Sequence, residues 1–275
     1  MNIRIISRLD IKRPNLVKGV QLEGLRPLGL PEKFAEFYYN EGADELFYQD
    51  IVASLYGQNA LYELISKTSK NIFIPLTVGG GIRKIEEISK ILRAGADKVS
   101  INSAAFSNPN LISKACKIFG SSTIAASIEV IKSSNGKYYA FTENGRNPTN
   151  QEVLEWSKKL EKIGVGEIIL TSVDNEGLGI GFDIELVKKV IENVNLPVVI
   201  HGGAGNKKDI LDLIRNTKVS GVAIASMFHY SYLRKLKKSI KSKNDNFNLS
   251  FTKFEDCSIK KLKKYLIKNR VKCKL

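Results

Sequence analysis

Short apolar runs alternate with amphipathic stretches along most of this chain. Runs at 3–9, 45–51, 74–78, 97–101, 123–130, 166–171, 197–201 and 219–225 have the length and β-branched content of buried strands. Stretches at 32–41, 61–69, 85–94, 110–119, 150–163, 183–194 and 209–216 place apolar residues three and four apart, as one face of a helix does. Ile259–Lys268 adds a further helix near the C-terminus. Strict strand–helix alternation of this kind predicts an α/β chain folded as a (β/α)8 TIM barrel, with a doubly wound open sheet as the alternative arrangement of the same elements.

The pattern also repeats. VGGGI (78–82) is similar to HGGAG (201–205), and Gly79 and Gly202 are 123 residues apart. SINSAAF and IASMFH follow these loops, and Ser103 and Ser226 are again 123 apart. Glu45 and Glu167 are 122 apart, and Asp10 and Glu129 are 119 apart at equivalent strand ends. A nearly constant offset predicts two similar half-barrels. Two segments break the alternation. Residues 11–31 read as a long loop after the first strand, and 132–147, with Ser133-Ser134-Asn135-Gly136, as a hairpin after the fifth. The expected organisation is a barrel over 1–233, a basic insertion over 234–258, and the final helix and C-terminal end over 259–275.

Composition narrows the function. A hydrophobic fraction of 43% over 275 residues excludes disorder over most of the length. No apolar stretch approaches the roughly 18 residues of a membrane span, so no membrane association is expected. The early charges of MNIRIISRLD argue against a secretory signal, and three cysteines without paired spacing fit a reducing compartment. The expected localisation is cytoplasmic. Two histidines make a multi-histidine metal site unexpected. The net charge of +15 is confined: residues 234–275 hold 15 basic and 3 acidic residues, which leaves +3 on the remainder. A nucleic-acid-binding tail would carry interleaved aromatics. Here there are Phe247, Phe251 and Phe254, which packing on the barrel also explains, so no nucleic-acid partner is expected.

Glycine-rich loops after strands let backbone N–H groups approach a phosphate. Gly79-Gly80-Gly81 and Gly202-Gly203-Ala204-Gly205, each followed by a strand ending at Asn102-Ser103 or Ala225-Ser226, predict two phosphate sites across one mouth and hence a bisphosphorylated substrate. Asp10 and Glu129 face each other there as a general acid and base pair. Lys18, in the first loop, is placed to close over a phosphate. Strand parity puts Arg4, Ile6, Arg8 and Asp10 on one face. Lys98, Ser100 and Asn102 share a face, as do Glu167, Ile169 and Thr171. Arg4, Glu45, Lys98 and Glu167 therefore meet at the N-terminal end of the bore as a balanced charged ring.

LDIK (9–12), VKG (17–19), DELFYQDI (44–51), TVGGGI (77–82), GADKVSINSAA (95–105), GEIILTSVDNEG (166–177) and GGAG (202–205) together resemble the cyclase subunit of imidazole glycerol phosphate synthase, the HisF-type barrel of histidine biosynthesis. The resemblance covers nearly all of 1–230 and resumes at 259–275. It implies an ammonia-dependent lyase. Such an enzyme converts a phosphoribulosyl-formimino aminoimidazole carboxamide ribotide to imidazole glycerol phosphate and aminoimidazole carboxamide ribotide. It implies Asp10 and Glu129 as catalytic residues, and Lys18, Gly81, Asn102, Ser103, Thr171, Gly177, Gly203, Ala225 and Ser226 as substrate or phosphate contacts. It implies Arg4, Glu45, Lys98 and Glu167 as an ammonia gate, and a glutaminase subunit of the HisH type on the N-terminal face as partner. No metal and no organic cofactor are implied. The chain departs from the pattern at Glu129, an aspartate in the family, at Arg8, for which Glu129 or Asp50 is the expected anionic partner, and at Glu176, Leu178 and His201. These departures keep an alternative in view: a HisF-like subunit that delivers ammonia to a separate ligase making acetamidino groups on cell-surface sugars. The presence of Asp10 favours the cyclase.

Overall fold

The computed structural model describes residues 2–52, 59–239 and 253–275. Its barrel strands are β1 (Arg4–Lys12), β4 (Glu45–Asp50), β5 (Leu76–Gly79), β6 (Lys98–Ile101), β7 (Ile124–Lys132), β10 (Glu167–Ser172), β11 (Val198–His201) and β12 (Gly221–Ile224). All neighbours in this ring pair in parallel, and β12 pairs back onto β1 with Arg4 opposite Gly221. The sheet is therefore a closed (β/α)8 barrel, and closure leaves no exposed sheet edge in the ring.

Antiparallel strands decorate the mouth. β2 (Asn15–Val20) and β3 (Glu23–Gly29) follow β1, and β8 (Tyr138–Thr142) and β9 (Asn147–Glu152) follow β7. The segment 11–31, expected as a loop, is thus a hairpin, and β1 runs on to Lys12 because β2 supplies its hydrogen-bond partners beyond the barrel. Asp10 and Glu129 consequently lie inside extended strands, opposite Val17 and Phe141, and not at strand ends. The hairpin expected after the fifth strand is present. It continues into β9, so the helix expected from residue 150 begins at Val153.

The helices are α1 (Pro31–Asn40), α2 (Asn59–Ser69), α3 (Ile85–Arg93), α4 (Ser103–Ser107), α5 (Pro109–Phe119), α6 (Val153–Ile163), α7 (Ile184–Asn193), α8 (Lys207–Asn216), α9 (Ser226–Ser239) and α10 (Ile259–Lys268). Their amphipathic faces pack on the outside of the strands. α4 and α9 had no counterpart in the sequence pattern. They start at Ser103 and Ser226, the two serines 123 residues apart, so the repeat extends to the loops that follow β6 and β12. α9 continues past residue 233, and residues 240–252 of the expected insertion lie outside the described residues, as do Phe247 and Phe251.

Strand alternation splits the core in two. Ile5, Leu9, Leu46, Val99, Ile128 and Leu170 face outward into the layer between sheet and helices. Ile6, Phe47, Ala125, Ile169, Val199 and Ala223 form a separate apolar cluster that fills the middle of the bore. Charged residues lie below and above that plug, which sets the geometry of the site.

Candidate functional site

The lower charged layer is the ring expected from parity. Arg4 Nη1 donates to Glu45 Oε2 at 2.9 Å, and Arg4 Nη2 donates to Glu167 Oε1. Lys98 Nζ lies 3.5 Å from Glu45 Oε1 and 3.2 Å from Glu167 Oε2. Two cations and two carboxylates thus alternate, and each acid is shared. Two further members escaped sequence reasoning. The Thr77 hydroxyl donates to Glu45 Oε1 at 2.6 Å, and Ser220 accepts from the Arg4 guanidinium. Thr77 faces Lys98 and Phe47 in register, so parity on β5 was the missed signal.

The upper layer holds the two carboxylates expected to react, Asp10 and Glu129, with the side chains around them. Asp10, Glu129, Arg8, Thr171 and His201 are all buried. Arg8 Nε donates to Asp10 Oδ1 at 2.9 Å. The expected partners of Arg8, Glu129 and Asp50, do not take that place: Asp50 Oδ2 lies 3.2 Å from Arg13, and Glu129 Oε2 accepts the Gly145 N–H at 2.9 Å. The reason is reach along one strand, because residues two apart on β1 share a face. Arg8 also donates to the Thr171 hydroxyl at 3.2 Å.

The two carboxyls are driven apart. Burial pushes Asp10 up, but the Arg8 guanidinium and the Lys18 ammonium outweigh it and hold the group below its usual value. Burial dominates at Glu129 and raises it to about 7, against the opposing pull of the Gly145 N–H, Arg8 and Asn102. One ionised and one protonated carboxyl near neutral pH is the division that acid–base catalysis requires.

Beside Glu129 opens a cavity of about 380 Å³, lined by Gly80, Gly81, Asn102, Ser103, Lys12 and Arg146 among others. The second glycine loop differs. Gly177, Gly203, Ala225, Ser226 and His201 surround a cavity of only about 10 Å³, and Phe254 closes its side. The Phe254 ring stacks on Tyr230 at 5.4 Å. At Gly80 and Gly203 a Cβ would meet the Asp50 carbonyl oxygen at 2.1 Å and the Gly181 carbonyl oxygen at 2.0 Å, so both loops need glycine for close backbone packing.

Lys18 is not free at the rim. It is buried on β2, where its ammonium donates to Glu176 Oε1 and to the Gly19 carbonyl at 2.9 Å. Glu176 Oε2 accepts the Leu22 N–H at 2.9 Å, and the Gln21 N–H donates to the Glu176 carbonyl at 2.9 Å. The β2–β3 hairpin is thereby fastened to the loop that carries Gly177. Among the described residues no group of three His, Cys, Asp or Glu side chains is placed to hold a metal ion.

The segment leading into β5 carries an exposed aromatic. Phe73 is 78% exposed, next to a groove of about 420 Å³ that includes Ile72, Ile74, Pro75 and Asp97.

Comparison with known proteins gives a consistent picture. Residues 4–234 match the family described as "Histidine biosynthesis protein". Imidazole glycerol phosphate synthase subunit HisF of Legionella pneumophila is 52% identical over 208 residues, which are 76% of this chain and 98% of the relative. The subunit of the same name from Dehalococcoides mccartyi is 42% identical over 245 residues, 88% of this chain and 96% of the relative. That from Alkaliphilus metalliredigens is 40% identical over 228 residues, covering 83% and 90% of the two chains.

Proposed function

The chain belongs to the HisF family of histidine biosynthesis, the cyclase subunits of imidazole glycerol phosphate synthase, and from that premise we propose which residues do the chemistry and where ammonia arrives. The chain is an enzyme, the cyclase of this synthase, and a subunit of a larger assembly. Its relatives are named as HisF subunits of imidazole glycerol phosphate synthase, so ammonia delivery for sugar amidination is not favoured.

In our reading, ammonia enters through the Arg4, Glu45, Lys98 and Glu167 ring, passes the apolar plug and reaches the mouth. There Asp10 accepts a proton and Glu129 donates one as the imidazole ring closes and the aminoimidazole carboxamide ribotide leaves. Gly81, Asn102 and Ser103 hold one phosphate of the bisphosphorylated substrate. Gly177, Gly203, Ala225 and Ser226 hold the other, with Lys18 and Thr171 beside it. The observation that carries this reading is the opposite protonation preference of two buried carboxyls on facing strands, Asp10 on β1 and Glu129 on β7. The partner is a glutaminase of the HisH type on the N-terminal face, supported by the gate and by exposed Phe73. No organic cofactor or metal enters the scheme. No helix among the described residues is long and apolar enough to cross a membrane, and we place the enzyme in the cytoplasm. The barrel over 1–233, the insertion over 234–258 and the end over 259–275 remain our division of the chain.

The test is direct. With ammonium salts at alkaline pH the purified chain converts the histidine-pathway intermediate, Asp10→Asn abolishes turnover, and Glu129→Asp retains it. A wild-type chain without turnover would refute the reading.

A further inference from the structure

Arg8 lies across the bore between the apolar plug and the mouth. It is 2% exposed. Its guanidinium donates to Asp10 on β1, to Thr171 on β10 and to His201 on β11, and its Cζ stands 5.3 Å from the centre of the Phe47 ring on β4. The contacts therefore come from four of the eight barrel strands, and they fix the side chain at both ends.

The chemistry of these contacts is constrained. A guanidinium has donors and no acceptor. The His201 Nδ1 that lies 3.2 Å from Arg8 Nη1 must therefore accept, which leaves the ring proton on Nε2. Burial, with the charges of Arg8 and Lys18 added, drives the His201 imidazole well below its usual value, in keeping with a neutral acceptor. Thr171 likewise accepts through its hydroxyl. Neither partner neutralises Arg8. Its anionic hydrogen-bond partner is Asp10.

We propose that Arg8 is a positioning residue: anchored by Thr171 and His201, it holds the Asp10 carboxylate ionised and oriented, so that Asp10 is the proton acceptor and Glu129 the proton donor. This rests on the reading of these two carboxyls as the reacting pair. The charged and titratable groups facing Asp10 are Arg8 on its own strand, Lys18 on β2, Glu129 on β7 and His229 on α9. Of these, Lys18 is committed to Glu176, and buried His229 is lowered to about 3 and so is neutral. Arg8 makes the direct contact. A structural filler at this position would require only volume, whereas a positioning residue requires charge and reach.

The experiment combines a carboxylate carbon NMR titration of the purified chain with pH–rate profiles of its complex with the glutaminase. In the wild type the Asp10 midpoint lies below that of an ordinary aspartate, and a midpoint at or above the ordinary value overturns the proposal without any reference to activity. Arg8→Met raises the midpoint and the acidic limb of kcat/KM together by about one pH unit. Arg8→Lys keeps the charge and loses the reach to Thr171 and His201, so the midpoint stays low while kcat falls about tenfold to 100-fold and KM changes little. Wild-type kcat in Arg8→Lys, or an unmoved Asp10 midpoint in a folded Arg8→Met, overturns it. If the wild type turns over no histidine-pathway substrate, the functional reading fails, and the Asp10 titration still decides the role of Arg8.

Discussion

Lys18 and Glu176, 158 residues apart in sequence, form an ion pair in which each side chain is 1% exposed. The pair joins the first hairpin to the loop that carries Gly177, and the other Glu176 oxygen accepts the Leu22 N–H. A buried pair of this kind contributes modestly as a pair, but breaking it strands a charge. Lys18→Ala is expected to cost about 3–5 kcal/mol in urea unfolding, and the double variant Lys18→Ala, Glu176→Ala to recover part of that loss. Additive losses would show that the two side chains do not interact.

The proposed gate makes a prediction about the source of ammonia. Arg4 is shared by Glu45 and Glu167, and the apolar plug lies between this ring and the layer of Arg8 and Asp10. Arg4→Ala should lower glutamine-dependent turnover about tenfold or more while ammonium-dependent turnover changes less than about threefold. Equal loss in the two assays would remove the gate from the route.

Glu129 predicts a pH dependence of stability. Its folded value of about 7 lies above the ordinary 4.5, so the folded state binds the extra proton between these values. Stability therefore falls as pH rises through this window and levels off above it, by an amount on the order of 3 kcal/mol. Glu129→Gln lacks this slope. Urea midpoints of wild type and variant, measured from pH 5 to pH 8 (about the span of the titration), should diverge in favour of the variant as pH rises. Parallel curves would contradict a buried, raised carboxyl.

Phe73 tests the docking face. Phe73→Asp should weaken binding of the glutaminase about tenfold or more in a titration calorimeter, with ammonium-dependent turnover unchanged. Unaltered affinity would place the partner elsewhere.

Gly203 tests the second loop. Its φ of 120° and the 2.0 Å that would separate an added Cβ from the Gly181 carbonyl oxygen leave no room for a methyl group. Gly203→Ala should lower thermal stability and raise KM for the bisphosphorylated substrate, whereas Gly136→Ala, whose Cβ meets nothing within 4 Å, should leave KM unchanged.

The sequence by itself determined the barrel, its two halves and the composition of the charged ring, because these depend on period and parity. A residue two places along a strand returns to the same face, so Arg4, Lys98 and Glu167 could be placed in the bore without coordinates. The glycine loops were legible because glycine at a strand end has a local backbone reason. The positions of α10 and of the hairpin after β7 were legible for the same local reasons. Only the tertiary structure decided the partners. Arg8 chose Asp10 over Glu129 and Asp50, Lys18 closed on Glu176, Thr77 joined the charged ring, and Phe254 packed against a loop some 50 residues earlier in the chain. Such pairings depend on distances across the bore and between loops, which local pattern does not encode. Burial then set the proton preferences of Asp10 and Glu129, because the cost of a charge depends on what surrounds it in three dimensions.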